Sequence, residues 1–487
     1  MSKFYITTPI YYINDNPHIG HAYTTIAADA VARWYRQAGA EVLFSAGLDE
    51  NSQKTVEAAE KAGEEPQVYS DRMAKTWQDT WDTSGISYDA FIRTTSEEHK
   101  KTVYAFMEKV QAAGDFTEGE YEGLYCVGCE EFKRENDLVD GKCPLHNRVP
   151  EKRKEKNYFF KLSKYQGALL KHIEENPDFI KPESRRNEVV AFIKRGLEDI
   201  SVSRQHGKWG IDWPGDNTQK IYVWFDALVH YLTVVGYPDA KSERAHFWPP
   251  DVHLVGKDIV KFHAIYWPAM LMSAGVPLPK TIFAHGFFTI EGKKISKSLG
   301  NAVDPLTLAG DYGMDALRFY LLKEIPTGSD GEFTHERFRQ LYESELANDL
   351  GNAVQRVASM ITRYLGGTVG EVPKSSHDTA LVREYMDNLR IDKALEELWV
   401  HVKGVNQFIE EEKPWQLAKS DPEQLVRVLQ QAVADLTHIA TMLQAFIPAT
   451  SDRIQATFAG GKVNPEVGVL FPKFDDTTSG KSTAAAE

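Results

Sequence analysis

The stretch FYITTPIYYINDNPHIGHAYTTIAADAVARWYRQAGAEVLFSAG, residues 4–47, holds the pattern from which the fold is read. A β-branched and aromatic run, FYITTPIYYI, is broken by NDNP. A helical period follows, with Ile26, Ala27, Ala30, Val31 and Trp34 as its apolar positions and Gly39 as its stop. EVLFSAG then reads as a short, continuously apolar strand. Strand, loop, helix and strand in this order make a βαβ unit. Apolar strands without alternation belong to a parallel sheet covered on both faces.

The loop–helix junction, PHIGH, carries residue types that an ordinary surface helix does not need. Pro17 suits the first turn of a helix, where its missing N–H costs nothing, and the free backbone donors behind it favour an anion. His18 and His21, three apart, share a face and can donate to phosphate oxygens, while Gly20 allows close approach of a ligand to the backbone. In a parallel sheet, the loop after the first strand is where ligands bind. A helix start with incidental polar residues explains so short a motif equally well, so a second element is required.

That element is GKKISKSLGN, residues 292–301. Lys294 and Lys297 flank Ile295 and Ser296 in a glycine-bounded loop, two mobile ammonium groups and a hydroxyl able to grip a triphosphate as charge builds up in phosphoryl chemistry. A solvated surface loop is the alternative. From composition, Lys-x-Ser-Lys-Ser should arise by chance on the order of once in 100 chains of this length.

At 487 residues the chain is long enough for roughly three domains. Short strands, glycines and cysteines mark an insertion from about residue 116, running through EKRKEKNYFFKL to WGIDWPGD. Strand-like KIYVWFDAL, then DVHLVGKD, helical IVKFHAIYWPAMLMSAG and KTIFAHGFFTI restore the α/β rhythm. Beyond about residue 335, long amphipathic segments predict a helical bundle. The expected fold is a Rossmann-like α/β parallel-sheet catalytic domain (1–115 and 216–285) interrupted by a connective insertion with a zinc knuckle (116–215). A contact region carrying the lysine loop (286–335), an all-α bundle (336–474) and a disordered tail (475–487) follow.

A formal charge of −14, with 42% hydrophobic and 26% charged residues, argues against a broadly basic nucleic-acid coat and leaves room for a local RNA site; no DNA partner is expected. Three cysteines, all between residues 126 and 143, favour a metal site in a reducing compartment, the cytoplasm, over a disulfide framework. The N-terminus has no leader pattern, and the uncharged run 262–279 contains His263 and three prolines, so no membrane span is expected.

PHIGH and KISKS, about 270 residues apart on either side of an insertion, resemble the two signatures of class I aminoacyl-tRNA synthetases, the second differing by isoleucine for methionine. YVWFDALVHY, LVGKDIVKFHAIYWPAM, KTIFAHGF and ANDLGNAVQR are similar to blocks of the methionyl-tRNA synthetase family over nearly the full chain. The resemblance implies that methionine and ATP form methionyl-adenylate, with Mg²⁺ on the triphosphate, and that the methionyl group passes to the terminal adenosine of tRNA. His18, His21, Lys294 and Lys297 would stabilise the transition state, and Gly20, Gly256, Asp258 and Ser296 would join the two lysines in binding ATP. Asp49 would hold the substrate ammonium. Ile10, Tyr12, Trp224, Ala227, Leu228, Tyr231, Ile259 and His263 would surround its thioether, with Tyr231 and His263 offering donors near sulfur. Most of these eight would otherwise be read as core residues.

Cys126, Cys129, Cys143 and His146 form two pairs with the spacing of a tetrahedral zinc knuckle, against the alternative of a metal-free fold. Asn352 and Arg356, four apart on one helix face, and Trp415 after Lys413-Pro414 would read a CAU anticodon by resemblance. Without it they are a solvated face and a packing residue. Rival readings are the leucine, isoleucine, valine and cysteine synthetases, a small-molecule nucleotidyltransferase and a noncatalytic RNA-binding relative. The first three carry a longer insertion, and cysteine enzymes place zinc ligands differently. The last two leave the bundle or the four polar site residues unexplained. Because the chain ends without an appended tRNA-binding and dimerisation domain, a monomer is expected.

Overall fold

The structure, a computed structural model, describes residues 2–127, 131–133, 135–144, 147–205, 208–290, 293–294 and 303–473. It divides into two compact units, Met1–Phe287 and Phe288–Glu487.

A seven-stranded, all-parallel sheet organises the first unit. Lys3–Thr7 pairs on one side with Glu41–Asp49 and on the other with Val252–Gly256, which pairs in turn with Thr281–His285. Ala90–Arg93 flanks Glu41–Asp49, and Ile180–Lys181 flanks Thr281–His285. The chain therefore leaves its first strand in one direction and later returns on the other side. This is the topological switch point at which such sheets open a crevice at their carboxyl edge.

The expected first strand is interrupted. Thr7 faces Ser45 while Tyr11 faces Leu48, so four steps on one strand match three on its neighbour, and the surplus is taken up around Pro9. Proline has no N–H for the ladder, which is why the break falls there. The resumed segment Tyr11–Tyr12 puts Tyr12 opposite Asp49 at the carboxyl edge.

Two other segments differ from their sequence reading. The run read as strand-like KIYVWFDAL changes state inside itself: Asp216–Ile221 is a strand and Val223–Thr233 a helix. That helix is buried nearly all round, so its sequence has no amphipathic period to distinguish it from a buried strand. The insertion is not wholly separate either, since Ile180–Lys181 from within 116–215 covers the edge of the main sheet. Its antiparallel part pairs Phe116–Cys126 with Glu151–Phe160. The basic run in the second of these strands faces acids, with Glu120 opposite Lys156 and Glu122 opposite Lys154, so its charge is met within the sheet.

In the second unit, Phe288–Ile290 pairs with Lys293–Lys294 and, across the helices Pro305–Tyr312 and Met314–Glu324, with Gly331–Glu332. Ile391–Glu412 buries Ile391, Ala394, Leu395, Leu398, Val402, Val405 and Ile409, an i, i+3, i+4 stripe, and packs against Pro422–Leu443. Each fully buried Leu or Ile in such a stripe contributes about 1.5–3 kcal/mol. No helix among the described residues is long and apolar enough to cross a membrane. The tail 475–487 lies outside the described residues.

Candidate active site

The helix after the first strand starts one turn position later than its proline suggests. Ile19–Gln37 is helical, His18 is the N-cap and Pro17 precedes it. A reciprocal capping box fixes the two imidazoles. The Gly20 N–H donates to His18 Nδ1 at 3.1 Å, and the His18 N–H donates to His21 Nδ1 at 3.3 Å. With both Nδ1 atoms accepting, each neutral ring carries its proton on Nε2. The backbone donors expected for an anion are thus partly taken by the imidazoles, which present their own N–H groups instead. Gly20 is required by the same geometry, because a Cβ there would lie 2.9 Å from His18 Cε1.

The rings are held on their other faces. His18 and His21 stack with centroids 3.7 Å apart, and His21 meets Tyr11 and Trp77, each at 4.9 Å. Trp77, on the helix Pro66–Thr83, had no sequence signal beyond its place on an apolar face. Thr24, one turn further on, lies 2.9 Å from His285 Nε2. His285 Nδ1 donates to the Gly286 carbonyl, so the Thr24 hydroxyl donates to Nε2. This contact pins the helix to the carboxyl end of Thr281–His285, whose last residue is in register with Gly256. A side chain at Gly256 would come within 2.8 Å of the Asp258 carboxylate. His18, Gly20, His21, Gly256 and Asp258 therefore all lie at the ends of elements that meet at the carboxyl edge of the sheet.

The predicted methionine residues share that edge. Asp49 is buried at the end of its strand, beside Tyr12. Tyr12, Trp224 and Ile259 are partly exposed and pack on the core that contains Leu228 and Tyr231. Ile10 is partly exposed, and Ala227 and His263 are buried. The Trp224 indole stacks on Phe262 at 3.9 Å, and Tyr12 stands edge-on to it at 6.5 Å. Phe262 is absent from the sequence-derived set, although its place beside His263 could have signalled it.

The polar back of this pocket corrects the expected chemistry. His263 Nδ1 donates to the Ile259 carbonyl at 2.9 Å, and Nε2 accepts the Tyr231 hydroxyl at 2.7 Å. Both protons offered for sulfur are thus consumed within the protein. Burial drives His263 down to about 4, so it stays neutral. His253, in contact with Thr7 at 2.7 Å and stacked near Tyr231 at 4.0 Å, extends this neutral buried layer. His253 lies within the strand DVHLVG, where a lone histidine reads as a core residue.

Lys294 ends a two-residue strand opposite Thr289. Ser296 and Lys297 lie outside the described residues, as do Cys129 and His146. Cys126 and Cys143 are buried, and among the described residues no group of three His, Cys, Asp or Glu side chains is placed to hold a metal. In the helical unit, Asn352 opens the helix Asn352–Leu365, and Arg356 bonds Glu410 at 2.7 Å. Trp415 is 36% exposed on Pro414–Ser420, which packs against that helix. A 400 Å³ groove runs along another part of the same helix, lined by Val354, Ala358, Thr362 and Val467.

Paired imidazoles at the switch point of a parallel sheet, next to an aromatic cluster with a buried carboxylate beside it, fit a catalytic domain of the class I synthetase type. The family model for class I tRNA synthetases (M) matches residues 4–147 and 133–358, and that for the anticodon-binding domain of methionyl tRNA ligase matches 374–466. The methionine–tRNA ligase of Caldanaerobacter subterraneus subsp. tengcongensis is 47% identical over 468 residues, covering 93% of this chain and 73% of that protein. That of Rickettsia bellii is 44% identical, covering 93% and 92%. Mycobacterium tuberculosis methionyl-tRNA synthetase in complex with methionyl-adenylate superposes with a TM-score of 0.91 at 38% identity, covering 97% of this chain and all of that one. The chain belongs to the methionyl-tRNA synthetase family.

Proposed function

We infer that the protein is a methionine–tRNA ligase. It activates methionine with ATP to methionyl-adenylate, releasing pyrophosphate, and transfers the methionyl group to the 3′ adenosine of tRNA(Met). Besides family membership, the observation that carries this reading is the meeting of the imidazole pair and the Tyr12–Trp224–Tyr231 pocket at one sheet edge.

In the first step a methionine carboxylate oxygen attacks the α-phosphorus, and the bond to the bridging oxygen breaks as pyrophosphate leaves. His18 and His21, with protons on Nε2, donate to oxygens whose charge grows in the transition state, and their mutual stacking avoids reorganisation at that moment. Lys294 and Lys297 neutralise the leaving pyrophosphate, and Mg²⁺ enters as the counter-ion of the substrate triphosphate. Gly256 and Asp258 bind the nucleoside, and Asp49 pairs with the methionine ammonium. Ile10, Tyr12, Trp224, Ala227, Leu228, Tyr231, Ile259 and His263 enclose the thioether. In the second step the terminal ribose hydroxyl attacks the carbonyl carbon, the carbon–oxygen bond of the mixed anhydride breaks, and AMP leaves as the hydroxyl proton passes to a phosphate oxygen.

Asn352, Arg356 and Trp415 contact the anticodon, the indole by stacking and the polar pair through base edges. Trp415's exposure supports this role. Cys126, Cys129, Cys143 and His146 hold a structural Zn²⁺. The burial of Cys126 and Cys143 supports that reading. The protein acts as a monomer, which sedimentation tests directly.

The test is exchange of labelled pyrophosphate into ATP, run with each of the twenty amino acids, followed by charging of tRNA(Met). Exchange that depends on methionine and on no other amino acid is expected. Exchange driven by leucine, isoleucine, valine or cysteine would overturn the assignment.

A further inference from the structure

The segment that follows Asp49 is clamped from several sides. Glu50 is fully buried, with its carboxylate on Arg93 at 2.7 Å, its N–H on Thr94 Oγ1 at 2.9 Å and its carbonyl accepting from Trp209 Nε1 at 2.8 Å. Asn51 turns inward, and its Nδ2 donates at 3.1 Å both to the Thr94 carbonyl and to Asp226 Oδ2.

Asp226 is the unexpected member. It is fully buried in the helix Val223–Thr233, between Trp224 and Ala227, the residues assigned to the methionine side chain. Its Oδ1 has no hydrogen bond and stands 3.8 Å from His99 Nε2, itself without one. His99 is held through Nδ1 by Thr233 Oγ1 at 2.9 Å. The His99 imidazole faces that oxygen and offsets part of the cost of burying it. Burial accordingly raises the Asp226 carboxyl above its ordinary range.

This charge does have one geometric consequence. Asn51 is two residues from Asp49, and Asp226 is on the helix that lines the thioether pocket. Their contact is a hydrogen bond that ties the strand end carrying Asp49 to the helix carrying Trp224 and Ala227. We propose that Asp226 and Asn51 are positioning residues for the activation reaction, setting the separation between the ammonium and thioether subsites so that the α-carbon of methionine is presented in one orientation. The proposal rests on the reading that Asp49 takes the ammonium.

Asp226→Leu, which removes the acceptor, and Asn51→Ala, singly and together, test it in pyrophosphate exchange, with Asp49→Ala alongside. Each single change is expected to raise KM for methionine about tenfold and leave KM for ATP within twofold, and the double variant to be no worse than the worse single. The inhibition constant of 4-(methylthio)butanoate, which has the thioether but no ammonium, should stay within twofold. Asp226→Asn keeps an acceptor for the Asn51 amide, so its KM for methionine should stay within twofold; the unfolding midpoint of Asp226→Leu should lie close to that of the parent, since a buried charge is exchanged for an apolar side chain of similar volume. If that variant fails to fold, Asn51→Ala carries the test by the same readouts. Additive effects, parallel rises in both KM values, or equal weakening of the ammonium-free ligand would reduce the contact to a structural one and overturn the proposal. If Asp49→Ala leaves KM for methionine unchanged, the ammonium reading fails and the proposal falls with it.

Discussion

Gly20→Ala separates the catalytic role proposed for the imidazole pair from its structural one. A methyl at this position comes 2.9 Å from Cε1 and 3.1 Å from Nδ1 of His18, closer than side-chain contacts allow. The His18 ring cannot yield without losing the Gly20 N–H and its stacking on His21 at 3.7 Å. For folding, the two terms nearly cancel: Ala in place of Gly in a helix gains up to about 1 kcal/mol, and a lost N-cap bond costs about 1 kcal/mol. The unfolding midpoint should therefore move little. For catalysis nothing cancels, because moving one donor aimed at developing charge costs about 2.7–4 kcal/mol, or roughly 10²–10³ in kcat. Pyrophosphate exchange at saturating methionine, with thermal unfolding in parallel, gives both quantities. Gly20→Ala in a His18→Ala background should add no more than a small factor, since the ring it displaces is gone. A parent-like kcat in the single variant, or the same large loss in both backgrounds, would refute the assigned geometry.

Stability should fall with acid because His263 must remain neutral. Its folded pKa of about 4 lies below the ordinary value, so the unfolded chain binds the extra proton. The contribution is complete above roughly pH 6.5 and shrinks as pH falls towards 4, by about 2 kcal/mol between pH 7 and 5. His263→Gln should flatten that slope in urea titrations, and an unchanged slope would count against it. Lys297→Ala should lower the exchange kcat by about 10²–10³ with KM for methionine within twofold, the pattern of a group that acts on the transition state. Trp415→Ala should raise KM for tRNA by about 10- to 100-fold, as for loss of a stacked base, and leave methionine-dependent exchange intact. The purified chain should contain one zinc per molecule, and Cys126→Ser should lose it and lower the unfolding midpoint. A metal-free parent of the same stability would discard the knuckle.

Local chemistry made much of this molecule legible along the chain. PHIGH sits at a helix start because proline, an N-capping imidazole and glycine are all local devices, and the apolar strands around it state a parallel sheet. The bundle could be read from the spacing of residues such as Leu395, Leu398 and Val402. Where the hydrophobic period vanished, the reading failed: VWFDALVHYLT is buried on nearly every side, and such a run looks the same as helix or strand.

The sequence by itself determined which residue types were available for phosphate, thioether and base, because those properties belong to single side chains. Tertiary structure alone decided their protonation and partnership. The capping box puts the protons of His18 and His21 on Nε2, the Ile259 carbonyl turns His263 into an acceptor for Tyr231, and Asp226 meets Asn51 across 175 positions of chain. The physical reason is that a hydrogen bond depends on distances of a few tenths of an ångström between groups that adjoin only once the sheet has closed, whereas helix caps and apolar periods are written within a few consecutive residues.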